Sequence, residues 1–96
     1  MDHKFQLGQV VATPGVFEKL STVDVGDALR RHMTGDWGDV CNQDRQANDD
    51  ALAHGSRLFS VYHSGAVKFW IITEADRSVT NVELNICHLM LSRHKC

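Results

Sequence analysis

Between Leu58 and Ile86 the chain keeps a strand period, and this constrains its fold more than any other feature. Thr80, Val82, Leu84 and Ile86 fall on one side of an extended segment, and Val79, Asn81, Glu83 and Asn85 on the other. Side chains of a strand alternate between faces, so the pattern predicts one buried and one wet face. That is the mark of an antiparallel sheet with helices on one side. Two more strands precede it: Leu58 to His63, and Val67 to Thr73, the most strand-like run in the chain. Ser64-Gly65 is a two-residue turn signal between them, and Glu74 to Arg77 reads as a polar turn before the last strand.

The first half follows a different period. Thr13 as N-cap with Pro14 at the first helical position predicts a short helix over Val16, Phe17 and Leu20. Before it, Gly8 to Ala12 reads as a short strand or extended lead-in. A second helix is expected from near Asp24, because Val25, Ala28, Leu29 and Met33 form one apolar stripe. Arg30 and Arg31 suit its C-terminal end, and Gly35 its stop. A third helix fits Gln43 to His54, with Asn42 or Asp44 as cap and Gly55 as stop; its apolar face is only Ala47, Ala51 and Leu52.

Together these elements predict an α+β fold, with helices from residues 14–54 on one face of a three-stranded antiparallel meander over residues 58–86. A chain of 96 residues is expected to be one domain, with a core over about residues 7–86 and a tail over 87–96. Leu89, Met90 and Leu91 give that tail an apolar patch expected to dock on the body or on a second copy.

Charge argues against one class of function. Ten Lys and Arg against twelve Asp and Glu leave a net −2. A nucleic-acid binder draws most of its affinity from neutralising phosphates, so a nucleic-acid partner is not expected. The only basic patch for a small DNA-binding regulator is Arg30-Arg31-His32. Residues 1–5 have no apolar h-region, and no apolar run is long enough to span a bilayer, so neither a secretory signal nor a membrane partner is expected. Cys41, Cys87 and Cys96 lack the spacing of a disulfide framework, which predicts free thiols in a reducing cytosol.

Catalytic constellations are sparse. There is no phosphate-binding glycine loop, no nucleophile elbow and no His-Glu-x-x-His. Cys87, His88, His94 and Cys96 match no common zinc spacing, so neither metal nor cofactor is expected. Cys41 is in sequence reach of His32, yet a small buried cysteine at a helix start is the simpler reading. A small enzyme would need a pocket with convergent polar groups, for which so short a chain leaves little room.

Two segments are candidates for contact with a partner. One is the helix end and connection holding Arg31, His32, Asp36, Trp37 and Asp39. The other is the turn holding Glu74, Asp76 and Arg77, where side chains can meet a partner without disturbing the core. Trp37 has two readings, an indole packed over the core or an exposed aromatic anchor of the kind that dominates interfaces.

These residues also carry a resemblance. Leu7 to Gly15, Arg31-His32, Gly35-Asp36-Trp37-Gly38, Asn48, Ala51, Gly55-Ser56-Arg57, Tyr62 and the run Trp70 to Thr80 resemble the small uncharacterised proteins of bacterial plasmids and integrated elements. The resemblance spans residues 7 to 80, and the chain departs from the pattern beyond Thr80. It implies a bacterial, cytoplasmic, mobile-element setting and assigns no catalytic residue. The expectation is a non-enzymatic protein-interaction module, an accessory protein of a mobile element, with a homodimer left open. Its rival is an inhibitor of host defence, an anti-CRISPR or anti-restriction protein acting by binding.

Overall fold

A computed structural model describes residues 3–84. In chain order the elements are β1 Gln9–Ala12, α1 Val16–Lys19, α2 Thr22–Met33, α3 Asn42–His54, β2 Leu58–Ser64, β3 Val67–Thr73 and β4 Val79–Leu84. The fold is α+β. The meander β2-β3-β4 forms as the alternation requires, with Ser60 opposite Ile71 and Ile71 opposite Val82. The three-stranded expectation falls short, because β1 adds a fourth strand. It pairs with β4 in parallel, Gln9 opposite Val79 through Ala12 opposite Val82, and the sheet order is β1-β4-β3-β2. The sheet is therefore mixed.

The main core lies between α1, α2 and one sheet face. Val16, Leu20, Val25 and Ala28 pack on Tyr62, Phe69, Ile71 and Val82, with Leu29, Val67 and Leu84 at the margin. Each large apolar side chain buried here stabilises the fold by about 1.5–3 kcal/mol. Of the expected α2 stripe, Val25 and Ala28 pack and Leu29 lies at the margin, while His32 rather than Met33 is the buried residue of the last turn. The helix starts slightly earlier than the pattern suggested, because Ser21 caps it by accepting from the Val23 and Asp24 amides.

The helices do not all share that face. α3 runs beside the β2 edge, where the Asn48 amide pairs with the Phe59 backbone: its Nδ2 donates to the Phe59 carbonyl at 2.6 Å and its Oδ1 accepts from the Phe59 N–H at 3.0 Å. One buried side chain thereby replaces a missing strand neighbour. The connection before α3 does the same two residues on, with Val61 N donating to Trp37 O and Asp39 N to Val61 O. Here Gly38 faces Val61 across a parallel bridge with φ of 76°, and a Cβ would stand 2.0 Å from the Val61 oxygen. Nor is the opposite sheet face simply wet. Trp70 and Ile72 are both buried there, and Phe59 meets the Trp70 ring edge-on at 4.6 Å.

The first helix is shorter than Thr13-Pro14 suggested. Those residues make a reverse turn instead, with Val16 N donating to Thr13 O and Gly15 at φ 91°, ψ −11°. Proline second and a positive-φ glycine third are what a type II turn requires. Between β2 and β3 the two loop residues are Gly65-Ala66, one position later than the turn signal. α3 is capped by Cys41, whose sulfur accepts from the Asp44 amide. Cys41 is disulfide-bonded, which overturns the free-thiol expectation at that position. The apolar patch Leu89 to Leu91 and the cluster Cys87, His88, His94 and Cys96 lie outside the described residues.

Candidate functional site

The end of α2 carries two kinds of side chain, which the fold separates. Arg31 points outward. Its Nε donates to Asp36 Oδ2 at 2.8 Å and its Nη2 to Oδ1 at 3.3 Å, and the guanidinium lies 4.9 Å over the Tyr62 ring. Both partners are about half exposed, 50% and 52%. The pairing holds the Asp36 carboxyl below the usual carboxylate range and the Arg31 guanidinium above its ordinary value. Tyr62 O–H donates to the Asp36 carbonyl at 2.6 Å, so the backbone that carries the carboxylate is itself anchored to β2. Burial pushes the Tyr62 phenol upward.

His32, the next residue, points inward and is fully buried. Its Nδ1 meets Ser60 Oγ and its Nε2 meets Thr73 Oγ1 at 2.9 Å. Thr73 Oγ1 lies 2.7 Å from Thr80 Oγ1, which donates to the Leu7 carbonyl at 2.7 Å. The chain fixes every proton. A carbonyl only accepts, so Thr80 spends its hydrogen on Leu7 and Thr73 must donate to Thr80. His32 Nε2–H then donates to Thr73, and Nδ1 accepts from Ser60. Burial first, and the Arg77 charge second, lower the His32 pKa to about 3, so the ring is neutral at ordinary pH.

Trp37 is buried, only 1% exposed, and its Nε1 donates to Asp49 Oδ1 at 3.1 Å. The exposed-anchor reading is thereby corrected: the indole is buried in the chain's own core, with Val40, Ala51, Leu58 and Val61. His32 is likewise removed from the contact surface. Phe5, which the sequence reading passed over, sits between them. Its ring stacks on Trp37 at 6.3 Å, meets His32 edge-on at 5.2 Å, and lies 5.6 Å beneath the Arg77 guanidinium.

Phe5 brings the two candidate segments to either side of one ring. The turn after β3 is built by its own side chains. Asp76 Oδ1 accepts from the Ser78 amide at 3.0 Å and hydroxyl at 2.6 Å, which lowers its pKa. Glu74 pairs with Arg57 at 3.2 Å. Arg77 is structural. It is the one non-glycine residue with positive φ among those described, at 62°, and its guanidinium donates to Ser56 O at 2.6 Å and Ala51 O at 3.1 Å. It therefore satisfies carbonyls at the end of α3, where a positive charge also suits the helix dipole. A purely recognition role for Arg77 is corrected by these bonds. Asp39 belongs elsewhere, beside the β2 edge with His63 Nε2 3.0 Å from its Oδ2.

Arg31, Asp36, Glu74 and Asp76 thus remain at the surface, while His32, Trp37 and Arg77 form the base that positions them. Shallow depressions lie beside both groups, one lined by Asp27, Arg30, Arg31 and Thr34, the other by Glu74, Ala75, Asp76 and Ser78. Among the described residues no group of three or more His, Cys, Asp or Glu side chains could hold a metal ion. No helix among them is long and apolar enough to cross a membrane. No family model matches the chain, and no curated protein and no solved structure matches it either.

Proposed function

We propose that the chain is a non-enzymatic protein-interaction module whose contact surface centres on Arg31 and Asp36, with Glu74 and Asp76 beyond Phe5. The observation that carries this reading is the fixed geometry of the Arg31–Asp36 pair. A half-exposed ion pair contributes only about 0–1 kcal/mol to a fold, so stability gives little reason for the arrangement. Yet the pair is bidentate, laid on an aromatic face, and tied through the Asp36 carbonyl to a buried tyrosine. Side chains held in place before contact lose less freedom on binding, and charges so held select a complementary partner. The partner fitted by this surface is a protein presenting a carboxylate to Arg31 and a basic group to the acidic turn. The mobile-element setting rests on the resemblance of residues 7–80.

The test compares what full-length chain and its Arg31→Glu variant retain from the native host, with the melting temperature of each as control. A protein retained by the parent, released by moderate salt and absent from the variant supports the reading. Identical retention by two equally stable chains refutes it.

A further inference from the structure

The geometry points to a homodimer formed by exchange of the N-terminal arm, residues 3–13, between two copies of this chain. This is independent of the charged surface above and rests on two observations. The first is where the arm is fastened. Lys4 N donates to Met33 O, Gln9 N to Ser78 O and Thr13 N to Val82 O, while Leu7 O accepts from Thr80. Phe5 fills the slot formed by His32, Trp37 and Arg77, and β1 pairs with β4. Every one of these partners is distant in sequence and belongs to the body of the fold. A second copy presents the same slot and the same β4 edge, so an arm reaching across regains each contact unchanged.

Only the hinge must differ. It is the turn Thr13–Val16, closed by the bond from Val16 N to Thr13 O with Gly15 at φ 91°. Opening that turn gives up the bond from Val16 N to Thr13 O, beside a second local bond from Glu18 N to Gly15 O, and lets the arm leave its own body. A hinge this short also forces the two bodies together around it.

The second observation lies at that place. The exposed large apolar side chains among the described residues are Val10 at 44%, Phe17 at 56% and Val23 at 68%. Val10 on β1 and Phe17 on α1 flank the hinge, whereas Val23 starts α2, which Ser21 and Asp24 fasten to Ser64 at the other border of the sheet. Exchange about a twofold axis brings the two hinges together, and Val10 and Phe17 of both copies then cover one another, as a self-complementary interface requires.

The experiment mixes full-length chain at natural nitrogen isotope abundance with ¹⁵N-labelled chain in denaturant, refolds them together at high concentration and separates species by mass. A zero-length amine–carboxylate cross-linker then records where the arm lies, because Lys4 packs against Gly35, next to Asp36. Exchange predicts a dimer in which about half of the Lys4–Asp36 cross-links join chains of different label, as random pairing of two chains gives. A chain that stays monomeric up to about millimolar concentration overturns the proposal, as does a dimer whose cross-links are all of one label; both lie outside a closed, arm-exchanged C2 pair. Phe17→Ser, at a solvent-facing position, is expected to keep the folded monomer and its cross-link while lowering the dimer fraction at least tenfold. An unchanged dimer fraction in that variant also overturns it.

Discussion

Acid is expected to weaken this fold well before its carboxylates are protonated, and His32 is the cause. The buried ring holds its proton only below about pH 3, whereas an unfolded-chain histidine titrates near 6.5. The folded-state pKa is depressed, and the charged form is the protonated one. As pH falls below about 6.5 the unfolded state takes up a proton that the native state refuses, so stability is complete above that pH and declines below it. The decline is about 1.4 kcal/mol per pH unit, or about 3.3 kcal/mol by pH 4 and about 4.4 by pH 3, and it levels off below that pH. Native domains of this size have only about 5–15 kcal/mol in total, so the effect is large. Asp36 and Asp76 have lowered pKa values, and their contributions are lost as pH falls through the usual carboxylate range toward those lowered values, below the interval where the histidine acts first. The interval from about pH 6.5 to 5 therefore isolates the histidine. Urea midpoints measured across it give the slope. His32→Gln keeps a donor toward Thr73 and removes the titration; it is expected to be less stable at pH 8 by about 2–3 kcal/mol and flat between 6.5 and 5. Parallel curves for parent and variant in that interval would refute the reasoning.

Three further perturbations address the frame around the site. Asn48→Ala leaves the Phe59 amide and carbonyl without their side-chain partner, and Asn48→Asp sets a carboxylate against that carbonyl; losses of about 2–3 kcal/mol and more than 3 kcal/mol are expected in urea denaturation. Arg77→Ala keeps a positive-φ backbone and loses the bonds to α3, at about 1.5–3 kcal/mol, whereas Arg77→Gly recovers about 1 kcal/mol of that by relieving the backbone; calorimetry orders the three chains. Trp37→Ala removes a buried indole and its bond to Asp49, and a loss of about 3–5 kcal/mol is expected to leave little folded protein by circular dichroism.

The sheet was legible where its strands are neighbours in sequence. Val79 to Leu84 carries its faces in a period of two, Val67 to Thr73 is an apolar run buried on both faces, and the turn residues between them mark the hairpin. β1 reads as a short strand or extended lead-in, but its place in the sheet was not legible, because its partner lies about seventy residues away and nothing local in Gln-Val-Val-Ala announces a parallel edge. Thr13-Pro14 misled for a definite reason: proline second serves a type II turn as well as a helix start, and Gly15 decides between them. The surface charges of the site were found from their place in connections. Its base, His32, Trp37 and Arg77, was found as well but its buried role was not, because the hydroxyls of Ser60, Thr73 and Thr80 say nothing in sequence about which ring they surround. One signal was present: Thr80 falls in the apolar phase of β4, and a hydroxyl turned toward a core requires a buried partner.

The closure of β2 by Asn48 and by the Trp37–Asp39 backbone limits how many chains can join by edge-to-edge pairing of whole sheets. A ribbon grows only if each added unit offers a fresh edge for the next. Here one border of the sheet is already capped by the chain's own atoms, so a second sheet meeting the β1 border brings its own capped border outward. Any such assembly is finite, with a valency of one per chain, and ends as a pair rather than a fibre.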